Sequence, residues 1–121
     1  MIELFKITQD LVAAIKTIVP DVFPSLAPQG TSLPFVTYTR TGVNPGGSKD
    51  GEYELDVTYT INLITGDYQS GLQYIDAIRQ ALRAIHSNHY RYEYTLVGAN
   101  EQAFDDGWSQ TLTVDLNVTR K

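Results

Sequence analysis

Between positions 53 and 63 the side chains alternate without a break. Tyr53, Leu55, Val57, Tyr59, Ile61 and Leu63 are apolar or aromatic, and Glu54, Asp56, Thr58, Thr60 and Asn62 between them are polar. Period two over this length means a β-strand with one face in a core and the other kept polar. The pattern returns near the end of the chain. Trp108, Leu112, Val114, Leu116 and Val118 fall on one side, and Ser109, Thr111, Thr113, Asp115 and Asn117 on the other. Strands of this kind demand a cover for their apolar face.

Two amphipathic helices supply it. Leu4, Ile7, Leu11, Ile15 and Ile18 recur at helical spacing over 2–18, before Pro20 ends the helix. Tyr68, Leu72, Ile75, Ile78, Leu82 and Ile85 mark the second, with Asp67 as its N-cap. Between the first helix and the next strand, residues 20–34 hold four prolines. Proline fixes φ and removes a backbone donor, so this stretch reads as an extended arm, pinned by Phe23 and Leu26. Residues 35–40 read as a strand that pairs with 53–63 in a long hairpin, with 42–51 at its tip. "HYRYEYTLV" alternates again, with Tyr90, Tyr92, Tyr94 and Leu96 on one face, and "GANEQAFDDG" reads as turns. The expected fold is α+β in the order α-β-β-α-β-β, one domain over 1–121. Its sheet is mostly antiparallel, both helices pack on one face, and the hairpin loop is long.

Composition narrows the chemistry. The 121 residues include no cysteine, which removes disulfides, thiolate metal sites and a cysteine nucleophile. A formal charge of −5 opposes general nucleic-acid binding, which needs a basic face. Glu3, Lys6, Asp10 and Lys16 interrupt the first apolar stretch, so it does not read as an export signal. No run approaches the ~20 apolar residues of a membrane span. A soluble protein made in the cytoplasm is expected, without membrane contact.

The loop "TGVNPGGSKDG" raises the question of a phosphate cradle. A P-loop stands between a strand and a helix, with Lys followed by Ser or Thr. Here Gly46-Gly47-Ser48-Lys49 precedes a strand, so the loop reads as a hairpin tip available to a partner. Asn44, Gly46, Gly47, Lys49 and Asp50 are the partner-binding candidates. His86 and His89 stand three apart, but no third ligand accompanies them, and no metal site is expected. Glu52, Glu54 and Asp56 fall on one strand face and invite a basic partner, either Arg40 on the paired strand or a group from another subunit. These four residues are the candidates for a subunit interface or a channel lining. The tyrosines of "HYRYEYTLV" read as core or sheet-edge packing rather than a base-stacking platform, since Arg91 points away from them. No nucleophile elbow, zinc-helix motif or dinucleotide glycine pattern occurs, and no cofactor or catalytic residue is expected.

Three features resemble the tail-completion family of tailed bacteriophages, the small tail-terminator and head–tail joining proteins. They are "APQGTSLPFVTY" running from arm to strand, the alternating "ELDVTYTINLIT" breaking into "DYQSGLQYIDAIRQALRAI", and the element order. The resemblance implies a non-enzymatic assembly protein of the virion, made in the bacterial cytoplasm. It implies a ring of copies, usually six, that caps the tail tube and meets the head connector while DNA passes through without specific binding. Two alternatives stand beside it. One is a head-completion adaptor of the phage neck. The other is a ligand-binding or enzymatic α+β domain with a pocket lined by Tyr53, Tyr59, Tyr68 or Trp108.

Overall fold

The computed structural model describes residues 2–45 and 53–121. Its elements run α1 (Leu4–Lys16), β1 (Val22–Pro24), β2 (Phe35–Asn44), β3 (Glu54–Thr65), α2 (Tyr68–Arg83), β4 (Tyr90–Phe104) and β5 (Gly107–Arg120). The strands form one sheet in the order β1-β2-β3-β5-β4. Only the β1–β2 pair is parallel. The α+β architecture and the α-β-β-α-β-β order expected from the sequence are present, with β1 as a short addition.

The alternation of 53–63 becomes burial. In β3, Leu55, Val57, Tyr59, Ile61 and Leu63 are buried, and the polar residues between them are not. β5 lies beside it in matching phase, with Leu112, Val114, Leu116 and Val118 buried. Ile7, Leu11 and Ile15 of α1 and Ile75, Ile78 and Leu82 of α2 close over that face. Asp67 caps α2 as expected, accepting from the Ser70 N–H. Tyr68 and Leu72 leave the apolar stripe at this end and stay partly exposed.

Helix α1 is fastened to the sheet by phenols. Tyr90 Oη accepts from the Glu3 N–H at 3.0 Å, at a helix start with no side-chain cap. Tyr59 Oη and Thr8 Oγ1 share a hydrogen bond of 2.8 Å, and Tyr92 Oη donates to Asp10. Tyr90, Tyr92 and Tyr94 lie on the helix-bearing side, Tyr90 in the core and the other two packed against it. Burial raises the pKa of Tyr92, and the Asp10 carboxylate raises it further. Burial also raises Tyr59, while its bond with Thr8 and the nearby Arg40 pull it back.

These phenols titrate near 10.0 when free. A folded pKa above that value favours the native state fully at lower pH, and the advantage is lost as pH rises towards the folded pKa. The urea midpoint should therefore hold up to pH ~9 and fall above ~10. Tyr92→Phe should flatten that alkaline fall and cost about 1–2 kcal/mol at neutral pH, because Asp10 loses a donor. An unchanged alkaline fall in Tyr92→Phe would mean that the phenol does not tie α1 down.

Three expectations are corrected. Leu26 does not pin the arm, being 83% exposed. The arm is held by β1, where the Val36 N–H donates to Asp21 O and the Ser25 N–H to Tyr38 O. "GANEQAF" is not a turn but the second half of β4, continued past an irregularity between Leu96 and Gly98. Pairing with β5 supplies hydrogen bonds that outweigh the turn preference of Gly98 and Asn100. Finally, Gly42, Val43 and Asn44 belong to β2 rather than the hairpin tip.

Candidate functional site

The helix-free face of the sheet carries the polar half of every alternating strand. The register sets its rows. Asn44, Asp56, Asn117 and Glu93 lie side by side across β2, β3, β5 and β4. The next row holds Gly42, Thr58, Asp115 and Thr95, and the row on the other side begins with Glu54, Thr119 and Arg91. Four carboxylates therefore share one end of this face with a single cation among the described residues, Arg91.

Hydrogen bonds hold this end in place. The Asn117 amide donates to Glu54 Oε2 at 2.8 Å and to Asp56 Oδ1 at 2.7 Å. Both of its protons go to carboxylates, so one neutral side chain keeps two like charges close. Thr58 Oγ1 donates to Asp115 Oδ1 at 3.1 Å. The arrangement is an acidic surface tied together by hydrogen bonds, and the described residues place no nucleophile with a base beside it. Among the described residues no group of three or more His, Asp or Glu side chains is placed to hold a metal ion.

The other end of the face is covered. Ser25, Leu26, Ala27, Pro28 and Thr31 of the proline arm overhang Phe35, Thr37, Asn62, Ile64 and Ser109, leaving an open cleft of about 550 Å³. The arm explains why Thr37, a polar-face residue, is buried.

Of the sequence candidates, Glu54, Asp56 and Asn44 meet on the acidic end. Arg40 does not join them. The register sets it opposite Tyr59, on the helix-bearing face, so it is not the intramolecular counterion of these acids. Their hydrogen-bond partner is Asn117 instead. Glu52, Gly46, Gly47, Lys49 and Asp50 lie outside the described residues. Sequence reading missed Glu93 and Asp115 as neighbours of Asp56. Both were visible as polar positions of alternating strands, but only the strand order and register bring them together.

The aromatic pocket is not assembled. Tyr59 is fully buried and bonded to Thr8. Tyr68 packs on Trp108 with ring centroids 4.6 Å apart. Tyr53 is 62% exposed, with the Arg120 guanidinium 5.9 Å from its ring centre.

A family model described as tail completion protein gp17 matches residues 6–91. No curated protein matches the chain in sequence. A chain in the solved virion of a native gene transfer agent (GTA) particle shares the fold with a TM-score of 0.50. The identity is 15%, over 93% of this chain and 91% of that one. At that identity the likeness is one of fold.

Proposed function

The chain belongs to the tail completion protein gp17 family, and from that premise we propose that it terminates the phage tail tube as a ring and joins it to the head connector. The family match carries this reading, and the site supports it. A broad polar sheet face offers contact area, and the described residues around it form no metal-binding group. The protein acts by occupying a place in the virion, having been made in the bacterial host cytoplasm.

In this ring the acidic end formed by Glu54, Asp56, Asp115 and Glu93 faces the channel. Carboxylates repel phosphate, so DNA passes without being held. Glu52, from the same sequence run, extends that lining. Arg40, on the opposite face, serves the contact between copies. A ring needs two different patches that meet with a closing rotation, and the two unlike faces and edges of this sheet provide them.

Asn44 leads from β2 into the segment holding Gly46, Gly47, Lys49 and Asp50, which we assign to contact with the tail-tube or connector protein. Deleting 46–50 should leave thermal unfolding nearly unchanged and abolish head–tail joining. Particles would then accumulate as full heads and separate tails in electron micrographs. Normal yields of joined particles from the deletion would remove the loop from the contact.

A further inference from the structure

The sheet has two bare edges, and they match each other. On one side, β1 covers β2 only at Val36, Thr37 and Tyr38. The rest of β2, from Thr39 to Asn44, has no strand outside it among the described residues. On the other side β4 is the edge along all 15 of its residues, and positions 97–104 are exposed throughout. Folded proteins usually shield a long strand edge, because its free N–H and C=O groups pair with other chains.

The backbone phase shows which groups point outward. The Val36 N–H and Tyr38 C=O are bonded to the β1 side, so alternation turns the Arg40 N–H and C=O outward as well. The irregularity between Arg40 and Gly42 shifts the next outward residue to Val43. On β4, the Lys121 N–H donates to His89 O, which makes Tyr90 the first outward residue. Past the irregularity at Val97 the outward residues become Ala99, Glu101 and Ala103.

The direction fits too. Each step β2-β3, β3-β5 and β5-β4 is antiparallel, so β4 runs opposite to β2. Rotation about an axis inclined to the strands, as in closed barrels, therefore brings β4 of one copy antiparallel onto β2 of the next with a stagger of about four residues. The side chains also agree. Arg40 shares the helix-bearing face with Tyr59, and Glu101 shares it through Gln110 and Leu63.

We propose that the open edge of β4 pairs with the open edge of β2 in a neighbouring copy, with Glu101 opposite Arg40 and Ala99 opposite Val43. The pair joins opposite charges, sets Val43, 40% exposed, against an apolar partner, and continues one sheet from copy to copy. On the helix-bearing face, exposed Phe5 flanks the β2 edge beside Tyr38, and Tyr68 flanks the β4 edge, its hydroxyl donating to Glu101. The contact is heterologous and so propagates around a ring. This inference rests on the ring reading above.

A cysteine-free chain makes the test clean. Next to the Arg40–Glu101 pair, Thr39 meets Gln102 at a non-hydrogen-bonded position, where Cα atoms lie ~4.5 Å apart, within disulfide reach. Within one copy the same residues are three strand spacings apart across the sheet, already roughly 14 Å, and further offset along it, so they cannot join. The double variant Thr39→Cys with Gln102→Cys is incorporated into particles during infection, oxidised, and run on a non-reducing gel.

A reducible ladder of multimers, lost in either single variant, is the expected result. A ring visible on the tail end without a ladder overturns the edge pairing and leaves the ring reading standing. One copy per particle overturns both. A dimer from Gln102→Cys alone sets two β4 edges together and also overturns the proposal. As a second measurement, Arg40→Glu or Glu101→Arg should each lose joined particles, and the double exchange should restore them. Failure of the double exchange to restore joining counts against the pair.

Discussion

Gly107→Ala is expected to cost the fold about 3 kcal/mol or more, the upper range for forcing atoms into a packed site. A Cβ on Gly107 would lie 2.2 Å from the Thr65 carbonyl oxygen and 3.4 Å from the Gly66 Cα. Those atoms are backbone, so no side chain can turn aside. The glycine sits where the β4–β5 hairpin ends against the junction of β3 and α2. Thr65 Oγ1 donates there to the Asp67 carbonyl, and Asp67 caps α2. Pushing the hairpin away would disturb that cap and the Tyr68–Trp108 contact together. Gly98→Ala is the control, because an added Cβ there meets nothing within 4 Å. Urea denaturation should separate the two variants widely. Equal midpoints would mean that the hairpin end does not pack on Thr65.

The second large effect concerns charge. Replacing Glu54, Asp56 and Asp115 by lysine turns the acidic end basic without touching the core, since all three point away from it. The parent protein, at a formal charge of −5, should not be retained by DNA at ~0.1 M salt. The variant should bind, with a log–log salt slope of about −3 if each lysine meets a phosphate. In assembled particles the same variant should slow DNA exit. Asn117 loses its two acceptors, so circular dichroism must first show a folded protein. If the parent and the triple variant bind DNA alike, the acidic end does not keep DNA free.

Much of this was legible in the residues. Period two gave the correct buried faces of β3 over 55–63 and of β5 over 112–118, although Tyr53, at the start of the pattern, stays exposed. Helical spacing placed Ile7, Leu11, Ile75 and Ile78 in the core. What escaped depends on partners distant in sequence. Gly98 and Asn100 favour a turn locally, but the β5 ladder holds them in a strand. Val22 and Phe23 sit among prolines, yet β2 offers them a parallel edge over three residues. Arg40 was matched with the acids because both are polar and their strands pair. The register decides the face, and it sets Arg40 beside Tyr59. The acidic end was half visible for the same reason, since Asp56 is a neighbour of Glu93 and Asp115 only across strands.

A protein that works by becoming part of the particle is consumed as particles form. Extracts that contain heads and tails but lack this protein should yield few joined virions, and purified protein should restore them. The yield should rise in proportion to added protein until a fixed number of copies per particle is reached, with those copies retained in the virions. Maturation of many particles by a trace amount, with none of the protein left in them, would contradict a structural role in the virion.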